Sequence, residues 1–158
     1  MAVYTTLSAA QLAALIGEYD VGALVSAKGI AEGVSNSNWL IDTTQARFIL
    51  TMYEARVDLG DLPFFLGLLD HLAQQGSPVP RTIHDRAGAA FRMIDDKAVA
   101  LIEFLPGVSV DAPSAAQARA VGQALAGVHL NTATFALERP NGMGMAAWRE
   151  LFGGCGDA

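Results

Sequence analysis

The 158-residue chain contains one cysteine, three histidines, two lysines and no long apolar run. Each shortage excludes something. Cys155 alone cannot close an internal disulfide, which fits a reducing compartment, so a cytoplasmic location is expected. The opening Met1-Ala2-Val3-Tyr4-Thr5-Thr6 lacks a basic stretch followed by an apolar core and does not read as a secretory leader. No apolar run approaches the roughly 20 residues that cross a bilayer, and no membrane partner is expected. Basic residues are scarce as well: Lys and Arg number 10 against 16 Asp and Glu, for a net charge of −6. That balance argues against a nucleic-acid partner, because such proteins concentrate positive charge. What is abundant is apolar side chain, at 52%, with charged residues at only 16%. A chain of this size and composition folds rather than staying disordered, as one compact domain or as one lobe plus the start of another.

Helix signals are clear at two places. Ser8-Ala9-Ala10-Gln11 is a capping box, Leu7 with Leu12 forms the matching hydrophobic staple, and Leu12, Leu15, Ile16 and Tyr19 recur at helical spacing. A second capping box, Ser114-Ala115-Ala116-Gln117, opens a helix whose expected buried stripe is Val121, Leu125 and Val128. Between them, Asp61-Leu62-Pro63 opens a further helix with Phe65, Leu66, Leu69 and Leu72 as its stripe, stopped by Gly76, Pro78 and Pro80.

Strands are expected at 24–28, 39–42, 47–54, 90–94 and 98–104, from runs of apolar and β-branched residues bounded by polar turns. Residues 48–53 are nearly all apolar, which predicts cover on both faces. Residues 29–33 read as a flexible turn, and Asp95-Asp96-Lys97 has hairpin length. The order is helix, three strands, helix, two strands, a Gly/Pro connection and a helix. Many α+β domains share it.

Local sequence narrows the choice. Lys28 through Asn38, KGIAEGVSNSN, resembles the glycine-loop region of homoserine kinases of the two-lobed, aminoglycoside-phosphotransferase-like type. Residues 47–54, RFILTMYE, are similar to that family's third strand, and 61–72 to its following helix. Glu103-Phe104-Leu105-Pro106-Gly107, the 121–129 helix, and Asn141-Gly142-Met143-Gly144 with Trp148 extend the likeness over nearly the whole chain. The resemblance implies an α+β, protein-kinase-like N-lobe over residues 1–105. That lobe is an antiparallel five-stranded sheet with a helix, ending in a hinge, and the first helices of an α-helical C-lobe follow over 106–158. It also implies ATP-dependent phosphorylation of L-homoserine on the route to threonine, with ATP and Mg²⁺ as cofactors.

Such a transfer needs the phosphates held, a cation near them, and a carboxylate to orient the hydroxyl. Gly29 and Gly33 would let backbone N–H groups approach an anion, with Ser35, Asn36, Ser37 and Asn38 adding short donors; a plain hairpin turn is the competing reading. Thr51 stands where kinase-like folds usually place a lysine, so the cation stays unassigned: Lys28 or Arg56 could serve, a solvated surface charge being the competing reading for both and the preferred one for Lys97. Glu103, Phe104 and Leu105 fall at the hinge, where exposed backbone and apolar side chains would take a purine. The family's His-x-Asp…Asn loop is not matched: the histidine triplets are His71-Leu72-Ala73, His84-Asp85-Arg86 and His129-Leu130-Asn131. His71 and His129 are read as packing or capping residues, and no catalytic or metal-binding residue is assigned.

The expectation is therefore the N-terminal half of such an enzyme, inactive by itself, with an apolar face that a missing C-lobe would cover. The alternatives are another small-alcohol kinase of the aminoglycoside or choline type, and a non-catalytic nucleotide-binding domain.

Overall fold

A computed structural model describes residues 5–31, 35–54 and 57–156. The order is α1 (Ala9–Ile16), β1 (Leu24–Ile30), β2 (Asn36–Thr43), β3 (Arg47–Tyr53), a 3-10 turn (Leu59–Asp61), α2 (Leu62–Gln74), β4 (Thr82–Ile83), β5 (Arg92–Ile94), β6 (Lys97–Glu103), α3 (Ala115–Thr132) and α4 (Met145–Gly153). Among the described residues no helix is long and apolar enough to cross a membrane.

The first capping box forms as its residue types dictate. The Gln11 amide donates to Ser8 Oγ at 3.2 Å and the Ser8 amide donates to Gln11 Oε1 at 2.9 Å, satisfying two N–H groups that the first helical turn leaves open. Leu7, Leu12, Leu15, Ile16 and Tyr19 are buried together, so the staple and the stripe face the same core. The chain then reverses at Gly22, whose φ of +82° and close approach to the Thr44 hydroxyl leave no room for a Cβ.

All strand pairs are antiparallel, in the order β1-β2-β3-β6-β4, with β5 also on β6. Val99 pairs with both Met52 and Arg92, and Leu101 with both Leu50 and Ile83, so β5 and β4 lie in tandem along the outer edge of β6. The expected five strands thus become six. The addition, Thr82–Ile83, has no alternation to betray it, since two residues show no period. It is held by its ladder to β6 and by two bonds to α2, from Thr82 N–H to Asp70 Oδ1 at 3.1 Å and from Thr82 Oγ1 to the Leu66 carbonyl at 3.2 Å. Gly29 and Ile30, expected in a turn, extend β1, and Lys97 opens β6. That leaves Asp95-Asp96 as a two-residue turn with Asp95 at φ +53°, a conformation that aspartate tolerates.

Strand register sorts the side chains into two layers. Trp39, Ile41, Phe48, Leu50, Met52, Val99 and Leu101 face α1 and form the main core. On the opposite face Ala98 and Ala100 meet Leu62 and Leu66 of α2, with Tyr53, Val57, Phe91 and Ile102 packed around them. Cover on both faces of β3 is therefore only partly realised: α1 buries one side, whereas Leu40 and Ile49 line an open cleft. Phe65 was expected in the buried stripe of α2 and is exposed instead, edge-on to Phe64 and under the Arg139 guanidinium at 5.1 Å.

The helical remainder attaches through the end of α2. His71 Nε2 lies 2.8 Å from the Asn131 carbonyl, Asn131 Nδ2 donates to Ser77 Oγ at 2.9 Å, and the Phe64 and Phe135 rings meet edge to face. The second capping box also forms, at Ser114 and Gln117. Its stripe does not bury: Val121 is 67% and Leu125 52% exposed. The resemblance implied further C-lobe helices, but the local sequence carries no mark of α4, because Gly144 at its N-cap offers no side-chain capping bond.

Candidate functional site

A cleft of about 440 Å³ opens between the start of the sheet and the segment leaving it, lined by Lys28, Gly29, Ile30, Ala31, Leu40, Ile49 and Phe104. Period-two alternation builds its floor. Leu40 stands opposite Ile49 across the β2–β3 ladder, both on the face away from α1, and α2 covers only the other part of that face. Its roof is the end of β1, where Gly29 pairs with Trp39 and Ile30 with Asn38. Phe104 closes one end, one residue beyond β6. The size suits a small ligand, and the mostly apolar lining with one cation suits a flat ring system joined to an anionic tail.

The structure thus brings together Gly29 and Phe104, 75 positions apart in the sequence, with Lys28 beside them. Gly33 and Arg56 lie outside the described residues. Ser35 is exposed and does not line the cleft. Asn38 does share its face. The Thr51 hydroxyl donates to Asn38 Oδ1 at 2.8 Å, so a neutral pair occupies the place where a lysine was sought. Asn36 is half-buried opposite Tyr53, and its Oδ1 is buried with no partner among the described residues.

Ser37 is directed elsewhere. Alternation turns it to the α1 side, where it is fully buried, donates to Glu54 Oε1 at 2.6 Å and accepts from the Thr5 amide at 3.3 Å. Lys97 joins this knot through a bond to Glu54 Oε2, so it is a half-buried partner rather than a solvated surface charge. Burial pushes the Glu54 carboxyl up, but the bonds from Lys97, Ser37 and Thr5 outweigh it and hold the group below the usual glutamate range.

At the hinge, Glu103 also faces away from the cleft. Its amide donates to the Arg81 carbonyl at 2.9 Å, and its carboxylate accepts from the Arg81 amide at 3.1 Å and from the guanidinium at 3.3 Å. These bonds hold the Glu103 carboxyl below its ordinary range, the guanidinium contributing most. Leu105 is exposed and outside the cleft. The apolar residues Ile30, Leu40 and Ile49 were not singled out in the sequence. Their alternation was visible, but which face stays open depends on where α2 lies.

No cluster of three or more His, Cys, Asp or Glu that could hold a metal ion occurs among the described residues. No carboxylate lines the cleft either, so the described residues do not by themselves fit a Mg²⁺ ion.

A homoserine kinase of Methylobacterium sp. (strain 4-46) is 49% identical over 152 residues, which is 96% of this chain and 47% of that protein. The homoserine kinase of Azorhizobium caulinodans is 49% identical over 156 residues, 99% of this chain and 49% of its own length. The chain thus spans about half the length of the curated relatives it matches. Among solved structures, a spectinomycin phosphotransferase in complex with ADP and spectinomycin superposes with a TM-score of 0.63 at 15% identity, over 95% of this chain and 46% of its own. A microcompartment-associated aminopropanol kinase gives 0.59 at 19% identity, over 87% and 44%. These likenesses show the fold, an α+β architecture of the kinase-like phosphotransferases. The model of the phosphotransferase enzyme family matches residues 26–156, from within β1 to just past α4, and the chain belongs to that family.

Proposed function

We propose that this chain is the nucleotide-binding part of a homoserine kinase, which transfers the γ-phosphoryl group of ATP to the hydroxyl of L-homoserine and so serves threonine biosynthesis. The observation that carries this reading is the apolar cleft between Gly29 and Phe104, found in a chain 49% identical to homoserine kinases. Ile30, Leu40, Ile49 and Phe104 supply the apolar surfaces that sandwich a purine, and Lys28 supplies a cation for the phosphates. A reducing cytoplasm suits the unpaired Cys155.

Two parts of the chemistry have no residues among those described. No histidine of the sequence opens a His-x-Asp triplet, and among the described residues no cluster of three or more His, Cys, Asp or Glu could hold a metal ion. We assign both to the half of the relatives that this chain does not span. The same half supplies the cover for the exposed Leu125, Leu130, Trp148 and Phe152 of α3 and α4. We divide the chain into a sheet lobe over 1–105 and the start of a helical lobe over 106–158; the end of β6 at Glu103 supports this reading.

Equilibrium dialysis of the purified chain against ATP tests the reading, followed by an assay of homoserine-dependent ADP release. Saturable ATP binding without turnover is expected. A chain that binds no ATP removes the proposal. Homoserine-dependent ADP release abolished by EDTA would instead show that this chain carries the catalytic groups itself.

A further inference from the structure

Among the described residues that line the cleft, Phe104 is the one aromatic ring, and it lies past the end of β6, where the ladder no longer sets the backbone. A ring in that position needs a side-chain partner to keep one orientation. The Arg47 guanidinium carbon lies 5.4 Å from its centroid, within the range of a cation–π contact. The guanidinium is itself fixed: Arg47 Nε donates to Asp42 Oδ1 at 2.7 Å, and Ser26 Oγ donates to Asp42 Oδ2 at 2.9 Å. Ser26 pairs with Asp42 across β1 and β2, and Asp42 with Arg47 across β2 and β3, so the chain of contacts starts on paired strands and ends on a ring beyond β6.

We propose that Arg47 is a positioning residue for the purine, bracing the Phe104 ring through a cation–π contact while Asp42 and Ser26 hold the guanidinium. The proposal rests on the nucleotide reading of the cleft and adds a residue to it that does not line the cleft. The contact is half-exposed, so its loss lowers purine affinity by only about 2- to 5-fold. Arg47→Lys keeps a cation over the ring and retains most of that affinity, whereas Asp42→Asn, which frees the guanidinium, lowers it in the same direction as Arg47→Ala.

The experiment measures Kd for ATP, adenosine and inorganic tripolyphosphate on the wild-type chain, Arg47→Ala, Phe104→Leu and the double variant, with thermal midpoints alongside. The expected result is weaker ATP and adenosine binding by Arg47→Ala, unchanged tripolyphosphate binding, and no further loss when Arg47→Ala is added to Phe104→Leu. Wild-type adenosine affinity in Arg47→Ala overturns the brace while leaving the nucleotide reading intact. So does an equal loss of tripolyphosphate binding, or additivity with Phe104→Leu. A wild-type chain that binds none of the three ligands sinks the nucleotide reading and the brace with it.

Discussion

His84 has both ring nitrogens against acceptors, Nδ1 at 3.0 Å from the Gly88 carbonyl and Nε2 at 2.7 Å from Asp70 Oδ2. Neither acceptor brings a proton, so only the imidazolium satisfies both. The Gly88 carbonyl and then Asp70 hold the ring's pKa above the ordinary histidine value, with Asp85 adding to the field. A raised pKa means the ring stabilises the fold fully below the unfolded value of 6.5 and loses that contribution as pH rises through the folded value. The thermal midpoint should therefore fall as pH rises above about 6.5, and His84→Gln should flatten that limb. Asp85 sets the opposite limb. Amides of Ala89 and Ala87 and the Arg92 guanidinium bond its carboxylate, the Ala89 bond foremost, and hold its pKa low. Its contribution is present above the ordinary carboxylate range and lost as pH falls, so Asp85→Asn should shrink the acid limb of the same profile. The sequence showed His84 beside Asp85 and could not show Asp70 or Arg92 beside them. Those contacts join α2, a loop and β5.

At the scale of elements, the residues that start a helix were legible and those that finish its packing were not. Both capping boxes form where Ser8 and Ser114 sit, because the bonds are local to four residues. Ser8→Ala should cost about 1 kcal/mol in urea denaturation, because α1 packs its stripe into the main core. A loss well under half of that would show that the cap is redundant with the staple. Leu66→Ala, at a fully buried position where α2 meets Ala98 and Ala100, should cost about 2–5 kcal/mol in the same measurement. The helix α4, which lacks a side-chain cap, and the strand β4, at two residues, left no local mark.

Across the whole molecule, one half is packed and the other is open. The sheet, α1, α2 and the segments flanking α1 hold the buried core, whereas neither α3 nor α4 buries a single side chain among the described residues. Trp148 at 59% and Phe152 at 83% exposure are large apolar groups left in water. Such a surface favours association, so sedimentation velocity should show mass rising with protein concentration. Replacing Leu130 and Trp148 together with glutamate should return the chain to monomer without changing ATP affinity. A monomer at all concentrations before substitution would show that this face is not adhesive.

The order of the longer strands and the first three helices, both caps and the family likeness followed from the sequence alone, because they depend on neighbours within a few residues or on linear motifs. Gly29 and Phe104 could each be singled out there. The cleft could not: it exists because β3 pairs with β6, which brings position 104 to the cleft that the end of β1 also lines, and because α2 stops short of Leu40 and Ile49. The β2–β3 register turned Ser37 into the core, and the pairing of β4 with β6 brought Arg81 to Glu103. Face and register are set by contacts between distant segments, and only the tertiary structure decides them.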